Sequence, residues 1–268
     1  MKLAMFTLIL FTYNLVMCQE FQGIATYRSS QQVTMKMDST QMNAAQAKEI
    51  NAMLNSQFDN EFKLQFNKTE SLYKMEEKLK LDAPQASGTR VMVMGHTGQS
   101  PLYKNTSTAT YIKEEDLMGR RFLVKDKLPM PEWKMEPDQK KIGNYTVYKA
   151  TWTRDVEVAN WDKDKGFSKI TTPKTTVAWY TPEIPVSHGP RDYWGLPGLI
   201  MEIQEDKFSL LCTSIVLNPK DKFTIEVPAK GREIDQVSFN KIREEKTSEM
   251  MEQFGKGRED GVKIRIGN

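Results

Sequence analysis

The chain has 268 residues, with 38 Lys and Arg against 35 Asp and Glu, a formal net charge of +3 at pH 7. That near balance sets up no strong field for nucleic acid or an anionic membrane surface. With 39% hydrophobic and 10% aromatic residues it is a soluble globular composition, not a polytopic membrane protein or a disordered tail, and two cysteines with two histidines are too few for a zinc ribbon, an iron–sulfur centre or a disulfide scaffold.

Residues 1–18 read as an address. Lys2 precedes an apolar run from Leu3 to Leu10 that weakens towards Val16, and charge returns only at Glu20. This is the layout of a secretory signal peptide, too short and too interrupted, by Thr12 and Asn14, for a membrane span. Cleavage after Cys18 leaves a mature chain of residues 19–268, expected to be periplasmic or outer-membrane associated. Leu15-Val16-Met17-Cys18 also resembles a lipobox that would acylate Cys18, but Met17 stands where a small residue belongs, so a soluble exported protein is the expectation. Cys212 is then a lone thiol inside the apolar run Phe208–Leu217, and reads as a buried strand residue.

In the mature chain, Phe21–Tyr27 alternates as an entry strand. Ser39–Phe58 carries apolar residues at helical intervals behind Asp38 or Ser39 as N-cap. Glu61–Phe66 and Ser71–Met75 form a hairpin around Asn67-Lys68, with Phe62, Leu64 and Phe66 on one face. Leu81–Ser100 is a glycine-containing loop with a short strand at its centre. A meander follows: Leu102–Asn105, Ala109–Lys113, Arg121–Asp126, Tyr145–Arg154, Thr175–Tyr180, Leu199–Glu205, Ser209–Leu217, and Phe223–Val227 as a further candidate. Lys163-Asp164-Lys165-Gly166 is the polar tip of a long hairpin. A second helix is placed at Phe239–Phe254 and a last strand at Val262–Ile266. The class is α+β and β-rich: a single domain with one curved antiparallel sheet and about two packed helices.

Gly195-Leu196-Pro197-Gly198-Leu199-Ile200 is a short motif in an ordered context, led in by Ala178-Trp179-Tyr180-Thr181-Pro182-Glu183-Ile184-Pro185-Val186-Ser187 and then Gly189-Pro190. Upstream stand Phe122-Leu123-Val124, Trp133, Lys141-Ile142-Gly143 and Tyr148-Lys149-Ala150. Together these resemble the bacterial GLPGLI family. The resemblance implies an exported cell-envelope protein of unknown biochemical function, with a sheet similar to the half-barrel of periplasmic lipoprotein carriers. Members commonly have a cysteine where this chain has Val147, so no thiol role carries over there. Read as residues, Leu196-Pro197-Gly198-Leu199 is expected to make a type II turn, proline fixing φ and Gly198 taking positive φ. Its use is either a tight corner that sets strand register or the rim of a binding face built with Trp179, Tyr180, Tyr193, Trp194, Leu196, Pro197 and Leu199.

No catalytic set stands out. Ser187 and His188 are neighbours, but adjacent residues on an extended segment point apart. Gly95-His96-Thr97-Gly98 lacks the lysine and helix of a phosphate loop. Met92, Met94 and His96 would share one strand face, and thioethers with imidazole select Cu(I); core packing accounts for strand methionines as well. The reading is therefore a non-enzymatic envelope protein that binds an apolar ligand or an envelope protein partner on a concave aromatic face. It has no resident cofactor, no nucleic-acid partner and an open oligomeric state. A copper-handling accessory using Met92, Met94 and His96 is one alternative, and a hydrolase with an unrecognised site another.

Overall fold

The computed structural model describes residues 21–31, 59–76, 100–162 and 166–256. The strands are β1 (Gly23–Gln31), β2 (Glu61–Phe66), β3 (Glu70–Met75), β4 (Leu102–Asn105), β5 (Thr110–Leu117), β6 (Arg120–Lys127), β7 (Lys134–Ile142), β8 (Tyr145–Asp162), β9 (Gly166–Thr181), β10 (Leu199–Glu205), β11 (Phe208–Leu217) and β12 (Arg232–Ile234), followed by helix α1 (Gln236–Lys256). All twelve strands join one open sheet in the order β12-β6-β5-β4-β3-β2-β1-β11-β10-β9-β8-β7. Nearly every pairing is between hairpin neighbours. The exceptions are β12, which pairs with β6, and β1, which lies between β2 and β11 and so joins the two halves of the meander side by side.

The sheet is mixed where a fully antiparallel one was expected, because β12 runs parallel to β6. Two strands escaped the sequence reading. β7, Lys-Met-Glu-Pro-Asp-Gln-Lys-Lys-Ile, has no apolar alternation, and Pro137 lies where its register with β8 shifts between Met135 and Gln139. It is an edge strand, where charge and proline are tolerated and discourage further pairing. β12 is three residues long and needs the neighbouring strand to exist. Conversely, Phe223–Val227 is not a strand. Ile225 and Phe223 instead cover Leu72, Tyr103 and Ile112 on the outer face of β3–β5.

Helix α1 starts three residues before the expected position. Asp235 is its N-cap, accepting from the Ser238 amide at 2.9 Å, and those Ser238 bonds hold its carboxyl below the usual range. Phe239 then packs edge-on against Phe122, ring centres 5.5 Å apart. The expected helix at Ser39–Phe58, the short strand within Leu81–Ser100 and the last strand at Val262–Ile266 lie outside the described residues. No helix among the described residues is long and apolar enough to cross a membrane.

Register fixes which side chains share a face. Ala25, Leu64, Tyr73, Leu102, Lys113 and Val124 form one rung across β1–β6, and Ser71, Lys104 and Tyr111 form another on the same face. Ile203, Leu210 and Cys212 continue that inner face across β10 and β11, and most of the buried core lies on it. Cys212 is buried as expected, and burial pushes its thiol up to about 12.

Candidate functional site

The segment between β9 and β10, residues 182–198, folds onto the inner face. Ile184, Val186, Tyr193, Trp194 and Leu196 are all buried and join the same core as Tyr27, Phe66 and Ile203. Its backbone is stitched to the start of β10: the Leu199 amide donates to the Ile184 carbonyl and the Ile200 amide to the His188 carbonyl, each at 3.0 Å. Tyr27 Oη donates to the Ile200 carbonyl at 2.7 Å, beside the bulge between Ile200 and Glu202. Burying five such apolar side chains contributes on the order of 10 kcal/mol gross, so the segment is part of the fold rather than a removable cover.

The glycines of the hexapeptide do different work from the expected turn. Gly198 does not take positive φ; Gly195 does, at +91°. A Cβ on Gly198 would lie 2.1 Å from the Thr181 carbonyl oxygen. Gly198 is therefore required by close backbone approach, and the type II turn expected at Leu196–Leu199 is corrected to an irregular bend pressed against the end of β9.

Lys104 holds this segment in place. It is fully buried on the inner face, and its ammonium donates to the carbonyls of Gly189 at 2.7 Å, Arg191 at 2.7 Å and Tyr193 at 3.0 Å. Three donors meet three acceptors, which the neutral amine with two N–H groups cannot do. Burial pushes Lys104 down to about 7 against the upward pull of Asp192, and the three carbonyls work in the same upward direction as Asp192. Nearby His188 is also fully buried, its Nε2 3.1 Å from the Asn67 carbonyl and its Nδ1 without a partner. Burial first, then the Lys104 charge, push it down to about 3, so it is neutral and Nε2–H donates. Ser187 Oγ accepts from the Gly195 amide at 3.1 Å. The two neighbours bond in different directions and form no nucleophile–base pair.

The residues expected to line a binding rim are mostly shut in. Tyr180, Tyr193, Trp194, Leu196 and Leu199 are buried, Trp179 is half-buried and Pro197 alone is exposed. Trp194 Nε1 donates to the Pro129 carbonyl at 2.8 Å, and its own carbonyl accepts from Trp133 Nε1 at 2.7 Å. Trp133 also lies against Trp152 and Tyr193, ring centres 5.9 and 6.4 Å apart. Trp179 stands on the outer face with Lys140 4.2 Å above its ring, and Lys140 pairs with Glu202. The set is thus divided between two faces. Met92, Met94 and His96 lie outside the described residues, and no group of three His, Cys, Asp or Glu among the described residues could hold a metal ion.

Sequence reasoning missed Lys104 and Glu205. For Lys104 the signal was present: in Leu102–Asn105 it alternates in phase with Leu102, placing a lysine at an inward position. Glu205, at the end of β10, accepts from Lys174 at 2.8 Å, Thr176 Oγ1 at 2.5 Å, Arg154 at 3.2 Å and Tyr193 Oη at 3.3 Å. Burial alone would raise its carboxyl, but the Lys174 and Thr176 bonds and the Lys174 and Arg154 charges outweigh it and hold the group low.

Glu205 also marks the root of an arm. β8 pairs with β7 only through Tyr145–Thr151, and β9 pairs with β10 only through Thr176–Thr181. Beyond those limits β8 and β9 continue to pair with each other, from Thr153↔Thr175 to Asp162↔Gly166. Among the described residues this stretch has no third strand. It is a two-stranded ribbon projecting from the sheet, with Arg154 stacked 4.2 Å over Trp152 and the Glu205 cluster fastening its base.

No curated protein matches the chain. Two solved structures of PNGF-II, in the C2 and P21 space groups, are similar to it at 15% and 14% identity with a TM-score of 0.48 each, over 83% and 82% of this chain and 32% of theirs. The chain spans about a third of their length. A family model described as a protein of unknown function (Porph_ging) matches residues 133–202, the stretch that runs from Trp133 through β7, the arm and the hexapeptide into β10.

Proposed function

We propose that the protein is an exported, non-enzymatic GLPGLI-type component of the cell envelope, with a sheet curved like a half-barrel, and that it docks a protein partner along the β8–β9 arm. The observation that carries this reading is the arm itself. Among the described residues no third strand flanks this ribbon, and a two-stranded ribbon by itself is marginal in water; this one is fastened at its base by a buried carboxylate with four donors. Its open backbone edges offer rows of N–H and C=O groups to an added strand, which is how extended segments of partner proteins are recognised. Export is supported by the pattern of residues 1–18. The apolar-ligand branch has less behind it, because the inner sheet face is covered by the chain's own residues 182–198.

The test is site-specific photo-cross-linking in the native envelope, with the cross-linker at Thr171 on the arm or at Thr213 on β11. The reading expects one protein adduct from Thr171, none from Thr213, and loss of the Thr171 adduct when residues 159–169, which leave Thr171 in place, are replaced by an Asn-Gly turn in a variant that melts as the parent does. No adduct at Thr171, or one that survives shortening of the arm, overturns it.

A further inference from the structure

On the other half of the sheet from the arm, β3, β4 and β5 form the floor of a cavity of about 220 Å³, walled by residues 191–192 and the start of α1. Drug-sized ligands and lipids occupy roughly 300–1,000 Å³, whereas a cavity of about 150 Å³ takes benzene, so this one suits a molecule of amino-acid size. Most of its polar lining is already used. Tyr111 Oη donates to Gln236 at 2.7 Å, and Lys113 pairs with Glu115.

Three groups are not used. Tyr73 lines the cavity and is 1% exposed, and its hydroxyl is buried without a hydrogen-bond partner. Half-buried Arg191 and exposed Asp192 also line it; among the described residues neither side chain has a hydrogen bond or an ion pair, Arg191 lying over the Phe208 ring at 5.2 Å and Asp192 acting on the Lys104 ammonium only through its charge. Arg191 is moreover held in the left-handed region at φ 51°, uncommon for a residue with a Cβ. The grip of Lys104 on the carbonyls of residues 189, 191 and 193 fixes it there. The backbone is thus strained in the turn that presents an unpaired guanidinium and an unpaired carboxylate beside an orphan phenol.

We propose that this cavity binds a small zwitterion of amino-acid size, its carboxylate received by Arg191 and the Tyr73 hydroxyl and its ammonium by Asp192. Burial keeps the Tyr73 hydroxyl protonated, and a phenol beside a guanidinium is a donor pair suited to a carboxylate. A simple anion would meet Asp192 and a simple cation Arg191, so each single-charge ligand faces a like charge that the zwitterion satisfies.

Isothermal titration of the mature chain with L-leucine, N-acetyl-L-leucine (carboxylate only) and L-leucinamide (cation only) tests the assignment. L-leucine is expected to bind with Kd of about 1 mM or tighter, and both analogues about tenfold more weakly. Tyr73→Phe and Asp192→Asn, both folded by thermal melt, are each expected to weaken L-leucine about tenfold; Arg191→Gly, which suits the left-handed backbone, abolishes it. No L-leucine binding by the wild type, or unchanged binding in Tyr73→Phe and Asp192→Asn, overturns the site. N-acetyl-L-leucine binding as tightly as L-leucine overturns the zwitterion and assigns the site to a peptide C-terminus.

Discussion

At Gly198 one added methyl group would enter the Thr181 carbonyl, a backbone atom that cannot step aside. At Gly195 the corresponding contact is Met130 Sδ, the far end of a flexible, exposed side chain. Gly198→Ala is therefore expected to cost about 3 kcal/mol, and Gly195→Ala only the left-handed penalty of about 1–2 kcal/mol; urea midpoints of the two variants check the order. Lys104→Met keeps the volume but strands three buried carbonyls, and is expected to lose about 2–4 kcal/mol by the same measurement. The two buried bases also set a pH dependence. His188 falls from 6.5 to about 3 and Lys104 from 10.5 to about 7 in the folded chain. In each window the unfolded chain binds more protons, so stability rises with pH: from about 3 to 6.5 for His188, and above about 7 for Lys104. Unfolding free energy followed across the acid window is expected to fall by up to about 5 kcal/mol on acidification through His188. His188→Gln, whose amide can still donate to Asn67, is expected to flatten that slope; an unchanged slope would mean that the imidazole is not buried neutral.

Among the elements, those with a strong alternating pattern were legible. Glu61–Phe66, Leu102–Asn105 and Leu199–Glu205 have the same bounds in sequence and structure because Phe62, Leu64, Phe66, Leu102, Leu199 and Ile203 mark the buried face and the strand ends are punctuated. β7 was not legible, because an edge strand next to solvent needs no apolar face and can carry Pro137. β8 and β9 were read too short for a related reason: beyond Trp152 the ribbon packs against no third strand, so nothing imposes a core-facing alternation. Of the candidate site, the hexapeptide's role as a corner was legible from Leu196 and Leu199. Its mechanical basis was not, because the close approach of Gly198 to Thr181 and the Lys104 grip are contacts between residues distant in sequence. The arm's root gives a test at this scale. Glu205→Gln leaves Arg154 and Lys174 without their carboxylate; both are partly exposed, so the loss is expected to be about 1–3 kcal/mol, with faster amide exchange in residues 152–157 and 171–176. Unchanged exchange there would separate the cluster from the arm.

The described residues form one open sheet whose two halves meet at β1, with its inner face filled from within by residues 182–198 and its outer face covered in part by residues 223–225. Such a sheet has two ends to protect, and it does so differently at each: β7 by charge and proline, and β6 by the short parallel β12 and the helix behind it. Hydrogen exchange on the free mature chain tests the filling most directly. The amides of Tyr193, Leu199 and Ile200 are expected to be protected as strongly as those of β1 and β10, opening only with global unfolding. Rapid exchange at those three amides, while β1, β9 and β10 stay protected, would make residues 182–198 a movable lid over an open trough and contradict the account.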